Sequence, residues 1–166
     1  MSKLDETKMN IRKIIPHLWF EDNAEEAAKF YTSIFKNSRI QDITHYGESA
    51  AEVSGRPKGT VTQLALNGGP IFKFSPAISF LVSCETQREI DIFWQKLSEG
   101  GGEQEQCGWL KDKFGVSWQI VPSILAEMID DKDANKTERV IKAMLHMKKL
   151  DIQGLKKAFE EVDRRS

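Results

Sequence analysis

Cys107 and His17 are the residues of this chain whose chemistry could support nucleophilic catalysis. Cys107 precedes Gly108-Trp109 in an apolar, strand-like run, and a thiolate with a histidine base beside it attacks electrophilic carbon. Without such a base a cysteine is a small, inert hydrophobe, so a His17–Cys107 pair and a buried thiol both remain open. Lys111-Asp112 could form an acid–base pair, or a solvated ion pair beside a hairpin turn. Trp109, Trp118, Phe72 and Phe74 are either core or the walls of a site for flat or apolar ligands. Gly100-Gly101-Gly102 follows a helical pattern and Asn67-Gly68-Gly69-Pro70 leads into no helix. Neither is a strand-to-helix cofactor loop.

The elements that must position these residues are written twice. Phe20–Ile34 overlays Ser83–Leu97 at an offset of 63 residues, the distance from Phe20 to Ser83. Glu26 then meets Glu89, Phe30 meets Phe93, Tyr31 meets Trp94 and Ile34 meets Leu97. Each copy follows an apolar run, Ile14–Phe20 or Ala77–Cys84, so the unit is strand, polar cap, amphipathic helix and further strands. Two such halves pair their sheets around a shared cleft, which favours a small-molecule site.

The first helix carries Ala27, Phe30, Tyr31, Ile34 and Phe35 on one stripe, with Asp22 or Asn23 as its cap. Arg39–Tyr46 and Thr60–Leu66 read as strands, Gly47–Gly59 as a loop, and Asn67-Gly68 as a reversal. In the second copy, Thr86 and Glu89 form a capping box, Ile90, Phe93, Trp94 and Leu97 the buried stripe. Strands over Gln106–Lys111 and Val116–Val121 flank a turn at Asp112–Gly115. Beyond Pro122 the period becomes helical. Ser123 caps 124–129, a charged break covers 130–136, a helix covers 137–149, and Asp151 caps 152–162.

Alternation divides each strand into two faces. Leu18, Phe20, Ile78, Phe80, Val82, Leu110, Trp118 and Ile120 form a greasy set that suits packing beneath helices. His17, Trp19, Ser79, Trp109, Lys111, Ser117 and Gln119 form a mixed set that suits a wet cleft, or a sheet face open to solvent.

With 166 residues and a formal net charge of −1, the chain suits one domain or two fused half-modules. Its 24 basic and 25 acidic residues are interspersed without a basic stripe, so no nucleic-acid partner is expected. No apolar run suits a membrane span, the N-terminus lacks a signal-peptide core, and two cysteines make no disulfide scaffold. A cytoplasmic protein is expected.

The chain resembles the PhnB-like family of the glyoxalase/bleomycin-resistance/extradiol-dioxygenase superfamily, a family often labelled 3-demethylubiquinone-9 3-methyltransferase. The matching segments are Pro16–Phe20, Ala24–Tyr31, Ala65–Pro70, Phe72–Phe74, Ile78–Glu85 and Gln106–Pro122. The resemblance covers about residues 11–150 and implies an α+β protein of paired βαβββ modules, usually a homodimer. Residues 11–122 then form the glyoxalase-like domain, with modules 11–70 and 77–122, residues 123–166 a helical extension, and 1–10 a flexible start. Relatives carry roughly ten further residues between Gly59 and Ala65, the length of two short strands or of one strand and a turn. The first module is therefore shortened, whether truly truncated or closed over an absent segment.

Metalloenzymes of the superfamily hold a divalent ion with His, Glu or Gln from three strands. The matching positions here are Pro16 or His17, Ser79 and Gln119, and neither His45 nor His146 belongs to them. Serine is a weak ligand and Gln119 lacks the charge of a glutamate, so neither metal nor other cofactor is expected. The glycine runs likewise give no support to S-adenosylmethionine binding. The resemblance and the mixed face together point to a small apolar or aromatic ligand in a cleft between the modules. His17, Trp19, Ser79, Trp109 and Gln119 would line it, with Asn67 and Phe72 as outlying candidates. The alternative is an enzyme (an isomerase or lyase, a dioxygenase-like catalyst, or the labelled methyltransferase) acting through His17 or Cys107, or through Gln119 in a weak metal site.

Overall fold

The two copies of the helix pattern fold as two similar helices, each preceded by a strand. The computed structural model describes residues 16–41, 43, 65–67 and 71–161. The chain divides into two compact units, residues 1–28 with 40–72, and residues 29–39 with 73–166.

In the first unit, β1 (Leu18–Phe20) pairs in parallel with β2 (Ala65–Asn67), Trp19 opposite Leu66 and Phe20 opposite Asn67. A parallel pair needs a crossover between its strands, and α1 (Ala24–Ile34) begins that crossover. Phe20 of β1 is buried, as are Ala24 and Ala27, one helical turn apart on α1. Asn23 holds the N-cap position, its carbonyl accepting from Ala27 N at 3.0 Å. The loop at 47–59, the shortened stretch between Gly59 and Ala65 and most of the predicted strand at 60–66 lie outside the described residues. Of the predicted strand at 39–46, residues 39–41 and 43 are described and lie in no strand.

The second unit contains a βαβββ module. Its strands are β3 (Ser79–Cys84), β4 (Glu103–Gln104), β5 (Trp109–Lys111) and β6 (Ser117–Pro122), with α2 (Gln87–Ser98) after β3. Their order in the sheet is β3-β6-β5-β4, with β3 parallel to β6 and the other pairs antiparallel. Thr86 caps α2 with the expected box: its hydroxyl accepts from Glu89 N and the Glu89 carboxylate accepts from Thr86 N, each at 3.2 Å. Such a cap contributes about 1 kcal/mol. Ile90, Trp94 and Leu97 of α2 are buried, as are Leu110, Trp118 and Ile120 of the sheet. Trp118 is the hub of the greasy side, its ring within 5.5 Å of the centroids of Tyr31, Phe35 and Phe80.

Ile78 departs from the expected greasy set. It lies one residue before β3, outside the ladder that orients its neighbours, and is 78% exposed.

After β6 come α3 (Ile124–Ile129), α4 (Ala134–Leu145) and α5 (Ile152–Glu160), packed around Leu125, Met128, Val140, Leu150 and Leu155. Asp133 caps α4 by accepting from Asn135 N, so the helix starts inside the expected charged break and ends before 149. Asp151 caps α5 as expected, accepting from Gln153 N and Gly154 N. Ser123 does not cap α3. Its backbone is already helical and its hydroxyl instead donates to Glu85 Oε2 at 2.9 Å. Among the described residues, no helix is long and apolar enough to cross a membrane.

Candidate functional site

Alternation sorts the four-stranded sheet of the second unit into a covered face and a more open one. Register places Leu81 opposite Gln119, and Gln119 opposite Trp109, giving a row of aliphatic, amide and aromatic groups across three strands. Adjacent strands lie about 4.8 Å apart, so this row spans about 10 Å, the width of a small ring system. Leu81 is 59% exposed, while Gln119 and Trp109 are half-buried. The Gln119 side chain is fixed diagonally across the sheet, its Nε2 donating to Ser79 Oγ at 2.8 Å.

The next row along the sheet runs Ser79, Ser117, Lys111 and Glu103. Ser117 is 3% exposed, so this expected wet position is buried. Lys111 reaches Glu103 at 3.3 Å and Glu105 at 3.4 Å, and these carboxylates, Glu103 foremost, hold its ammonium above the usual lysine range.

Trp109 owes its placement to a strained turn. Gln106–Gly108 does not extend β5 as expected, because Cys107 and Gly108 both take the left-handed conformation, with φ of 59° and 81°. Their N–H groups donate to Met147 O and Lys148 O, each at 2.7 Å, and Gly108 O accepts from Ile120 N at 2.7 Å. Trp109 N closes the turn onto Gln106 O at 3.1 Å. A segment between the C-terminal helices thus straps the start of β5.

Lys111 and Asp112 do not pair. Asp112 is 3% exposed and its carboxylate receives four donors. Phe114 N and Val116 N reach Oδ1 at 2.9 and 3.0 Å, and Tyr31 OH and Trp118 Nε1 reach Oδ2, each at 2.8 Å. Neighbouring strand residues point to opposite faces, which carries Lys111 to its glutamates and Asp112 inward. Burial first, then the charge and hydrogen bond of Asp112, push the Tyr31 phenol above its ordinary range.

In the first unit His17 is exposed just before β1, Trp19 is half-buried and meets Phe72 edge-on at 5.4 Å, and Phe72 is 63% exposed. Asn67 ends β2, paired through its backbone with Phe20. His17 and Cys107 fall in different units, as do Trp19 and Trp109. Within the second unit the structure groups Ser79, Gln119 and Trp109, and within the first it brings Trp19 to Phe72. Sequence reasoning misses Leu81 and the glutamate partners of Lys111. Alternation from Ser79 is the signal that would find Leu81.

The donor set does not fit the superfamily's metal. Ser79 and Gln119 are neutral, and they are bound to each other. Among the described residues no three His, Cys, Asp or Glu side chains are grouped to hold a metal ion. Gly100-Gly101-Gly102 links a helix to β4 rather than a strand to a helix, so its geometry is not that of a nucleotide-binding turn. Among the described residues, concavities of about 360 and 380 Å³ lie on the C-terminal helices, away from this face. The larger has a charged lining, and the other is bounded in part by Ile124, Met128 and Phe159.

Residues 12–121 match the model of a family described as 3-demethylubiquinone-9 3-methyltransferase. A Bacillus cereus structure described as a putative 3-demethylubiquinone-9 3-methyltransferase, PhnB protein, is 36% identical. The match spans 68% of this chain and all of that one, with a TM-score of 0.52. A Staphylococcus aureus structure is 27% identical over 68% of this chain and 97% of its own, with a TM-score of 0.27. A Pseudomonas aeruginosa structure is 18% identical over 66% and 96%, with a TM-score of 0.44. No curated protein matches the sequence.

Proposed function

Because the chain belongs to the 3-demethylubiquinone-9 3-methyltransferase, or PhnB-like, family, we propose that it binds a small apolar or aromatic molecule without a metal. The site of this proposal is the open face of the second module's sheet. The observation that carries it is the row Leu81–Gln119–Trp109, in which an exposed aliphatic group and an indole flank a tethered amide. An aromatic wall supplies stacking area at little entropic cost, and an amide fixed in advance adds orientation. The neutral Ser79–Gln119 pair supports the metal-free part of the reading, since it offers a divalent ion no charge.

Methyl transfer belongs to the family's description. Gly100-Gly101-Gly102 gives it no support, because a link from helix to strand is not the turn that a nucleotide-like cofactor needs. The homodimer that the family implies is part of the same proposal, supported by the exposure of Leu145 and Ile129 on α4 and α3. Light scattering that returned a monomer mass would remove it.

Indole serves as the probe for the site. Its titration is followed by the indole N–H resonance of Trp109, identified by its disappearance in Trp109→Phe. The expected result is a saturable shift of the Trp109 resonance in the wild type and, read at the Gln119 side-chain amide in both proteins, binding at least about fivefold weaker in Trp109→Ala. An undiminished response in Trp109→Ala would refute this site.

A further inference from the structure

The polar groups of the open face narrow the ligand chemistry beyond flat and apolar, and this step rests on the binding reading above. Gln119 Nε2 donates to Ser79 Oγ at 2.8 Å. A carboxamide carries one acceptor oxygen and two N–H donors, and a hydroxyl one donor with acceptor lone pairs. With that bond made, Gln119 Oε1 has no partner among the described residues, and the Ser79 hydroxyl retains its proton to donate. The pair therefore presents an acceptor, Gln119 Oε1, beside donors, the Ser79 hydroxyl and the second Gln119 N–H, between Leu81 and Trp109. Rotating the amide by half a turn, so that Ser79 donates to Oε1, leaves N–H donors beside a serine lone pair. The complement is again one donor and one acceptor.

The pair carries no charge. Lys111, in the next row of this face, is held between Glu103 and Glu105. A carboxylate would lose its water beside this neutral pair with the Lys111 ammonium already engaged, and an amidinium would do so with Glu103 and Glu105 already engaged by Lys111. A neutral group with its donor and acceptor about one carbon apart satisfies both positions. We infer that the Ser79–Gln119 pair selects a neutral, flat ligand bearing a carboxamide-like donor–acceptor edge, as in an amide, lactam or imide. Anions and cations of the same shape are rejected.

Benzamide, benzoate and benzamidinium test this directly, because they share one ring and one planar substituent and differ in charge and hydrogen-bond pattern. Each is titrated into the 166-residue chain at neutral pH, with the Gln119 side-chain amide and Trp109 indole resonances as reporters. Benzamide is expected to bind at least about 10-fold more tightly than either ion, the difference that two net hydrogen bonds confer. Gln119→Glu keeps the shape and adds a carboxylate, and is expected to reverse the order of benzamide and benzamidinium. Benzoate or benzamidinium binding the wild type as well as benzamide, with shifts at both reporters, would overturn this inference while leaving the site reading in place. If no probe moves either resonance, the site reading fails and the inference falls with it. The wild-type comparison stands whether or not Gln119→Glu folds.

Discussion

The Tyr31 phenol donates to Asp112 Oδ2 at 2.8 Å, joining the latter part of α1 to the turn between β5 and β6. Trp118 of β6 donates to the same oxygen, and two turn amides fill the other. A buried carboxylate so fully satisfied is a structural pin. Asp112→Ala would leave four donors unanswered and is expected to cost about 3 kcal/mol or more. Tyr31→Phe removes one bond of the set and is expected to cost about 1 kcal/mol. Urea unfolding measures both. A loss below that of Tyr31→Phe for the aspartate variant would show that the turn holds without its anion.

The same contact sets an alkaline limit. Burial, then Asp112, raises the Tyr31 phenol in the folded state above its ordinary value near 10. A raised folded value means that this stabilisation is complete below about pH 10 and is lost as pH climbs above it, when only the unfolded chain gives up the proton. The wild type should therefore lose stability more steeply than Tyr31→Phe above about pH 10. Parallel thermal melts of the two proteins across that range provide the check, and identical slopes would exclude Tyr31 as the source.

The two cysteines should differ in reactivity. Cys84 is fully buried, and burial together with Glu89 and Glu85 pushes its thiol up to about 11. Cys107 is half-buried on its strained turn. Iodoacetamide near pH 8, close to the ordinary thiol range, is expected to label Cys107 in the native protein and Cys84 only on unfolding. Peptide mapping of the alkylated protein decides it, and rapid native labelling of Cys84 would contradict its burial.

The strap over the start of β5 predicts an order among variants. A Cβ at Gly108 would lie 2.7 Å from Ile120 O, at a φ of 81° that side chains rarely adopt. Gly108→Ala should cost about 2 kcal/mol or more. Gln87 binds the same segment through its side chain, donating to Leu150 O at 3.1 Å and accepting from Ile152 N at 2.9 Å. Its loss to alanine should cost about 1–2 kcal/mol and speed amide exchange in α5. Lys149→Ala breaks an exposed ion pair with Asp91 and should cost no more than about 0.5 kcal/mol. Chemical denaturation of the three variants tests the ranking, and a Lys149 effect exceeding that of Gln87 would reverse it.

Much of the second module is legible in its sequence, because its signals are local. The capping box at Thr86 and Glu89, the stripe Ile90–Trp94–Leu97 and the alternation of Leu110, Trp118 and Ile120 each depend on neighbours a few residues apart. What sequence misses depends on distant partners. The pairing of β3 with β6 joins residues about 38 apart, and no pattern in either strand specifies it. Asp112 reads as a turn residue beside a lysine, and its role appears only when Tyr31 and Trp118 converge on it. Ser117 reads as wet by alternation, yet it is buried. The Ser79–Gln119 contact is diagonal across a parallel pair, so each residue could be placed on a face but not joined to the other.

The family match ends at residue 121, whereas the carbonyls that receive Cys107 N and Gly108 N belong to Met147 and Lys148. The hairpin bearing Trp109 is consequently not a portable part. Grafted into a host that ends where the family pattern ends, it would arrive with two amide hydrogens facing nothing, and the host would have to supply a substitute ledge before the indole could stand where it does here.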